Sequence, residues 1–239
     1  MASFPASVKN FGADRVDGEY IPADDVNLIR AEVVALETEL LLGGWRSAPG
    51  AWSFATSTTI TVPAGAASIY SVGDKIKWWQ GSQKYAYIVG VANTLLTVRG
   101  DAVVAGAITL NYYSKHSSPV GFPHWFAWVP DLTLGLATLP GYAYARYSIV
   151  GRTCTIVLNV DNVTIGGAAG SIKVSLPVPA AITSTFWGNV ARYLAADGYV
   201  PVRGVLSAAS VEVFKSISTT TYLGNETGFY LRVAGSYEI

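Results

Sequence analysis

One stretch of this 239-residue chain recurs at helical spacing, and it limits the folds open to the rest. In Asp24 to Leu42, DDVNLIRAEVVALETELLL, residues Val26, Ile29, Val33, Leu36 and Leu40 are spaced 3, 4, 3 and 4 apart. That is the a/d rhythm of a coiled coil. Asp24 or Asp25 is placed to cap the open N–H groups at the start, and Gly43-Gly44 to end the helix in the left-handed conformation. At a rise of roughly 1.5 Å per residue the rod is only about 28 Å long. A helix so short is marginal in water unless something packs on it. Val at a with Ile or Leu at d, and no Asn or Lys in the seam, permits a trimer. Asp25 can pair with Arg30 of a neighbour, whereas Glu32 would face Glu37 in a parallel register at a small cost. The helix therefore reads as a device that aligns subunits. Leu28, Val34, Leu41 and Leu42 widen its apolar face, which leaves open a helix packed on its own subunit.

The totals narrow the partners. There are 16 basic and 16 acidic residues, only 13% of the chain is charged, and half of the acidic residues precede residue 40. No basic surface calls for nucleic acid or an anionic membrane. With 51% hydrophobic residues, 24 Gly and 14 Tyr, the chain must bury much of its surface or share it with other subunits. The charge-free run Val174 to Ala191 is broken by Pro177 and Pro179, so no membrane insertion is expected. The opening, MASFPASVKNFGADR, has no apolar core of a signal peptide, which suggests synthesis in a cytoplasm. A lone Cys154 rules out an intrachain disulfide and a multi-cysteine metal site.

Residues 1–23 carry breakers at Pro5, Gly12, Gly18 and Pro22, yet Phe4, Phe11 and Tyr20 are spaced aromatic anchors. Such an arm suits docking on a partner, or wrapping over its own helix. From Trp45 to Ser114 the period becomes two. Thr58–Val62, Asp74–Trp79, Tyr85–Val91, Leu95–Val98 and Ala107–Leu110 read as strands of a small antiparallel barrel or sandwich. Ser117-Ser118-Pro119 reads as a hinge. Beyond it, strands are expected at 144–150, 152–160, 172–176, 186–193, 200–205, 211–216 and 229–233, a count that suits a jelly roll or related sandwich. In the second of these, Cys154, Ile156, Leu158 and Val160 share one face, so Cys154 is expected in the core. The expected organisation is mainly β: residues 1–44 as arm and helix, 45–116 as a small β domain, 117–239 as a larger β-sandwich, assembled as a homotrimer.

Catalytic patterns are sparse. A glycosidase needs two facing carboxylates, but Asp131, Asp161, Asp197, Glu212, Glu226 and Glu238 fall in separate segments. His116 and His124 lie beside no serine nucleophile motif, and two histidines make a His-based metal site improbable. Gly166-Gly167-Ala168-Ala169-Gly170 lacks the Lys-Ser/Thr of a phosphate loop. No catalytic residue, metal or cofactor is expected.

The ordered set Phe4-Pro5, Lys9, Phe11, Asp17-Gly18, Ile21, Val26-Asn27, Glu32 and Ala35-Leu36-Glu37 resembles an N-terminal module of bacteriophage virion proteins. Thr59-Ile60-Thr61-Val62-Pro63 and Val72-Gly73-Asp74-Lys75-Ile76-Lys77 are similar to a small β module of the same tail, baseplate or fibre proteins. Ala145 to Gly151 and Ser175-Leu176-Pro177-Val178-Pro179 resemble the jelly-roll heads of their receptor-binding subunits. The resemblance implies a trimeric virion protein that docks to other virion proteins through Phe4, Pro5, Phe11 and Tyr20. It further implies a head that binds a host-surface saccharide. Trp187, Asn189, Arg192, Tyr193, Asp197 and Tyr199, where aromatic and polar residues mingle, are the candidate ligand patch. A purely structural baseplate, neck or capsid-decorating subunit is the alternative, and a host-envelope depolymerase ranks behind both.

Overall fold

A computed structural model of the chain describes residues 23–41, 43–134, 137–138, 144–165, 172–181, 184–185, 187–194, 198–201, 204–213 and 226–239. The docking residues Phe4, Pro5, Phe11 and Tyr20, and Asp197 of the ligand patch, lie outside these. The first element is helix α1 (Ala23–Leu41), one residue off its expected bounds at each end. Gly43 and Gly44 follow at φ +60° and +83°, the left-handed geometry that terminates helices and that glycine adopts without a Cβ penalty.

The next unit is built from β1 (Arg46–Ser47), β2 (Ser53–Thr56), β3 (Thr59–Thr61), the single-turn α2 (Ala66–Ile69), β4 (Lys75–Trp79), β5 (Gln83–Val91), β6 (Leu95–Gly100) and β7 (Thr109–Ser114). These strands form one antiparallel sheet in the order β1-β7-β4-β5-β6-β3-β2. Ile60, Ile76, Trp78, Ile88 and Leu96 are fully buried on one face, with Trp52 and Tyr70 packed on them. The other face departs from simple alternation. Lys75 is 3% exposed, with its Nζ donating to the Gly73 carbonyl at 3.2 Å. Lys77 sits over the rings of Trp45 and Tyr112, at 4.6 and 4.8 Å, a cation–π arrangement that lets an ammonium leave bulk water at reduced cost. Burial lowers the pKa of both lysines.

That face is covered by the second unit. Its strands are β8 (Phe126–Ala127), β9 (Leu132–Leu134), β10 (Ala137–Thr138), β11 (Tyr144–Val150), β12 (Thr153–Ile165), β13 (Ile172–Ser175), β14 (Ser184–Thr185), β15 (Trp187–Leu194), β16 (Gly198–Pro201), β17 (Gly204–Leu206), β18 (Ser210–Val213) and β19 (Glu226–Glu238). They form two six-stranded antiparallel sheets, β16-β15-β19-β12-β11-β8 and β10-β9-β13-β18-β17-β14. The chain passes between the sheets in strand pairs, and both contribute to one core: Tyr147, Ile149, Ile156, Leu158, Leu231 and Val233 from the first, Ile172, Val174, Val211 and Val213 from the second. The architecture is thus mainly β and sandwich-like. No helix among the described residues is long and apolar enough to cross a membrane.

The segment expected to act as a hinge is tied down on both sides. Val120 N–H donates to Gly43 O at 2.9 Å, and Trp45 Nε1 donates to Val120 O at 2.8 Å. Phe122 then packs against Trp45, Tyr85 and Tyr87, and Phe126 against Tyr87 and Tyr147. Tyr87 from the first unit donates its hydroxyl to His124 O at 3.1 Å. A continuous aromatic cluster so joins the two β units, in which Phe122 and Phe126 of the aromatic run after Pro119 are buried.

Cys154 is fully buried, as its place on the inner face of β12 requires. Desolvation pushes its thiol up from 9.0 to about 12, and the Tyr237 hydroxyl beside it offsets this only in part. Desolvation also raises Tyr147 and Tyr237 above 10.0. In each case the native state holds a proton that the unfolded chain releases first. Stability conferred by these groups is therefore whole below pH 9 and is lost as pH rises through 9 to 12 and beyond. Tryptophan fluorescence should show an unfolding transition on alkaline titration, with Cys154 unreactive toward maleimide at pH 8 until denaturant is added. Rapid labelling of the native protein would contradict the burial.

Candidate functional site

Three surfaces stand out. The first is α1. Val26, Ile29 and Val33 of its seam are 45%, 46% and 47% exposed, and Leu28 and Val34 are 47% and 60% exposed. In the isolated chain these branched side chains remain accessible. Leu36 and Leu40 continue the seam along the last turns of α1, and their side chains lie outside the described part of the structure.

The second is the outward face of the sheet containing β11, β12, β19 and β15. Period-two alternation along β11 turns Tyr144 and Arg146 outward and buries Ala145 and Tyr147. The Arg146 guanidinium stacks over Trp125 at 4.9 Å and Tyr144 at 5.6 Å. Trp125 and Tyr144 are 40% and 46% exposed, so the triad presents both aromatic and cationic character to solvent. In the neighbouring strands, Asn159 Nδ2 donates to Asp161 Oδ1 at 2.9 Å and Arg232 Nε to Asn159 Oδ1 at 3.3 Å. Register pairs Tyr144 with Asn159 and Asn159 with Arg232, so this polar row runs directly across the sheet.

The expected ligand patch falls on the far strands of the same sheet. Register sets Trp187 opposite Ser236, Asn189 opposite Ala234 and Tyr193 opposite Tyr230, with Tyr199 opposite Tyr193. Position 192 differs, since Arg192 pairs with Leu231, which is fully buried. Trp187, Asn189, Tyr193 and Tyr199 therefore share a register and Arg192 does not. The side chains of these five residues lie outside the described part of the structure. Sequence reading missed the Trp125–Arg146–Tyr144 triad, although the alternation at 144–147 contained its signal.

The third is a cleft of about 570 Å³ between the two β units, lined by Thr58, Arg99 and Asp101 from the first and by Trp128, Asp131 and Ser175 from the second. Arg99, Asp101 and Ser175 are fixed by backbone groups. Arg99 Nε donates to Pro177 O at 3.1 Å and its Nη1 to Val98 O at 3.0 Å. Asp101 Oδ2 accepts the Tyr85 amide at 2.8 Å. Ser175 positions the other wall: its Oγ accepts the Asp131 amide at 2.7 Å and its carbonyl accepts Trp128 Nε1 at 3.3 Å. No linear motif joins Asp101 to Asp131, and only the docking of the two units brings them to one cleft.

A smaller chemical feature lies near the foot of α1. Ser118 Oγ and His124 Nε2 are 3.1 Å apart, and His116 Nδ1 accepts the Ser118 amide at 3.1 Å. No carboxylate among the described residues is hydrogen-bonded to His124, so the orienting third member of a hydrolase triad is missing there. Among the described residues, no three His, Cys, Asp or Glu side chains converge as a metal site requires. No protein-family model, no characterised protein and no solved structure matches this chain.

Proposed function

We propose that this chain is a non-enzymatic subunit of a phage particle, a homotrimer aligned along α1. Its N-terminal arm docks to other virion proteins and its C-terminal sandwich binds a host-surface saccharide. The observation that carries the reading is the uncovered seam of α1. Val26, Ile29 and Val33 keep nearly half their surface exposed in one chain, and covering that half is worth roughly 0.7–1.5 kcal/mol each, half the value of full burial. Two further copies of the same face supply that cover in a three-stranded coiled coil. Passage of the chain between two sheets in strand pairs supports a jelly-roll-like head. Three heads on one axis then act together, raising apparent affinity without new contacts.

Removing residues 1–42 tests the docking assignment. The truncated chain is expected to fold, since both β cores lie beyond residue 44, and to be left out of assembled particles. Normal incorporation would overturn the assignment.

The shortness of α1, 19 residues, favours a second reading: a baseplate, neck or capsid-decorating subunit that never meets the host. Such a protein would be captured tightly by other virion proteins and would stay silent toward host cells.

A further inference from the structure

We propose that the cleft between the two β units is the saccharide site, and that it takes a neutral, hydroxyl-bearing sugar ring. The proposal rests on the host-saccharide reading and gives it a location and a ligand class. The volume, about 570 Å³, falls within the roughly 300–1,000 Å³ usual for small-ligand sites, which favour boundaries between domains. The chemistry of the walls selects the ligand. Asp131 is exposed, and among the described residues its carboxylate accepts no hydrogen bond. Asp101 spends one oxygen on the Tyr85 amide and keeps the other. Arg99 holds two backbone carbonyls through Nε and Nη1, which fixes the guanidinium plane and leaves Nη2 to donate. Two acceptor carboxylates and one oriented donor suit adjacent hydroxyls, which both donate and accept. The Trp128 indole, held by Ser175, supplies the apolar wall that the C–H face of a sugar ring requires. Two carboxylates against one guanidinium leave a net negative charge, so uronic-acid and phosphorylated sugars meet repulsion. Because Asp101 and Asp131 come from different units, a bound ring also bridges those units.

The test is calorimetric titration of the full chain with soluble neutral hexose oligosaccharides and their uronic-acid counterparts. The neutral series should bind, and the acidic series should bind at least tenfold more weakly. Asp131→Asn should weaken binding by about 10- to 100-fold, the effect of losing a charged hydrogen-bond partner. Thr58→Trp, which blocks the cleft from an exposed position, should abolish binding, with the melting temperature of both variants confirming the fold. Binding that survives both variants and is lost in Asn189→Ala would move the site to the outer sheet face and leave the saccharide reading standing. Preference for the acidic series would overturn the ligand class. Silence toward the whole series with host cells still bound would overturn the cleft assignment alone. Silence toward both would remove the host-saccharide reading as well.

Discussion

Ile29→Asp combined with Val33→Asp should turn the proposed trimer into a folded monomer. In a trimer the pair places six carboxylates within two turns around one axis, where each would lose hydration without gaining a cationic partner. The same change removes six apolar side chains from the seam, each worth roughly 0.7–1.5 kcal/mol when its exposed half is covered. Both effects act on a helix of 19 residues, too short to hold a coiled coil against them. Size-exclusion chromatography should show the loss of the larger species. Tryptophan fluorescence should be unchanged, because Trp45, Trp52 and Trp78 are buried in the β units. A double variant that stays trimeric would assign the assembly to the β units and not to α1. One that unfolds would mean that α1 is needed by its own subunit.

Gly73→Ala should be the most damaging single change in the junction. Gly73 sits at φ +93°, in the turn before β4, against the turn between β11 and β12. A Cβ there would lie 2.0 Å from the Gly151 carbonyl oxygen and 2.6 Å from its carbon. Both are backbone atoms, so no rotamer change relieves the clash. Overpacking costs typically 1–3 kcal/mol and left-handed strain adds another 1–3, giving about 4 kcal/mol. For a chain of this size that lowers the melting temperature by roughly 10 °C. Gly81→Ala is the control: Gly81 has φ +75° but nothing within 4 Å of the added Cβ, so it should lose only the strain, about 1 kcal/mol. Equal losses in the two variants, measured by thermal melting, would show that the close approach of the units is not what matters at Gly73.

Local chemistry made parts of this molecule legible in advance. The bounds of α1 followed from Asp24 and Gly43-Gly44, and β11 and the inner face of β12 from strict alternation at Tyr144–Val150 and Cys154–Val160. Lys75 and Lys77 show why the rest was not. Alternation in β4 places them opposite Ile76 and Trp78, which reads as a solvent face, but Trp45, Tyr87 and Tyr112 from distant parts of the same unit lie over them. The short strands β8, β10 and β14 have two residues each and leave no periodic signal. Arg192 looked like a neighbour of Asn189 and Tyr193 in the chain, but pairing with Leu231 depends on a partner strand some forty positions away. The cleft needed the same long-range information, since Asp101 and Asp131 line it from different units.

Trimerisation along α1 is the claim on which the proposed function stands, and light scattering of the intact protein at micromolar concentration tests it most directly. Three chains of 25.3 kDa in one particle is the expected mass. A stable particle of one chain, with Val26, Ile29 and Val33 still open to solvent, would contradict it.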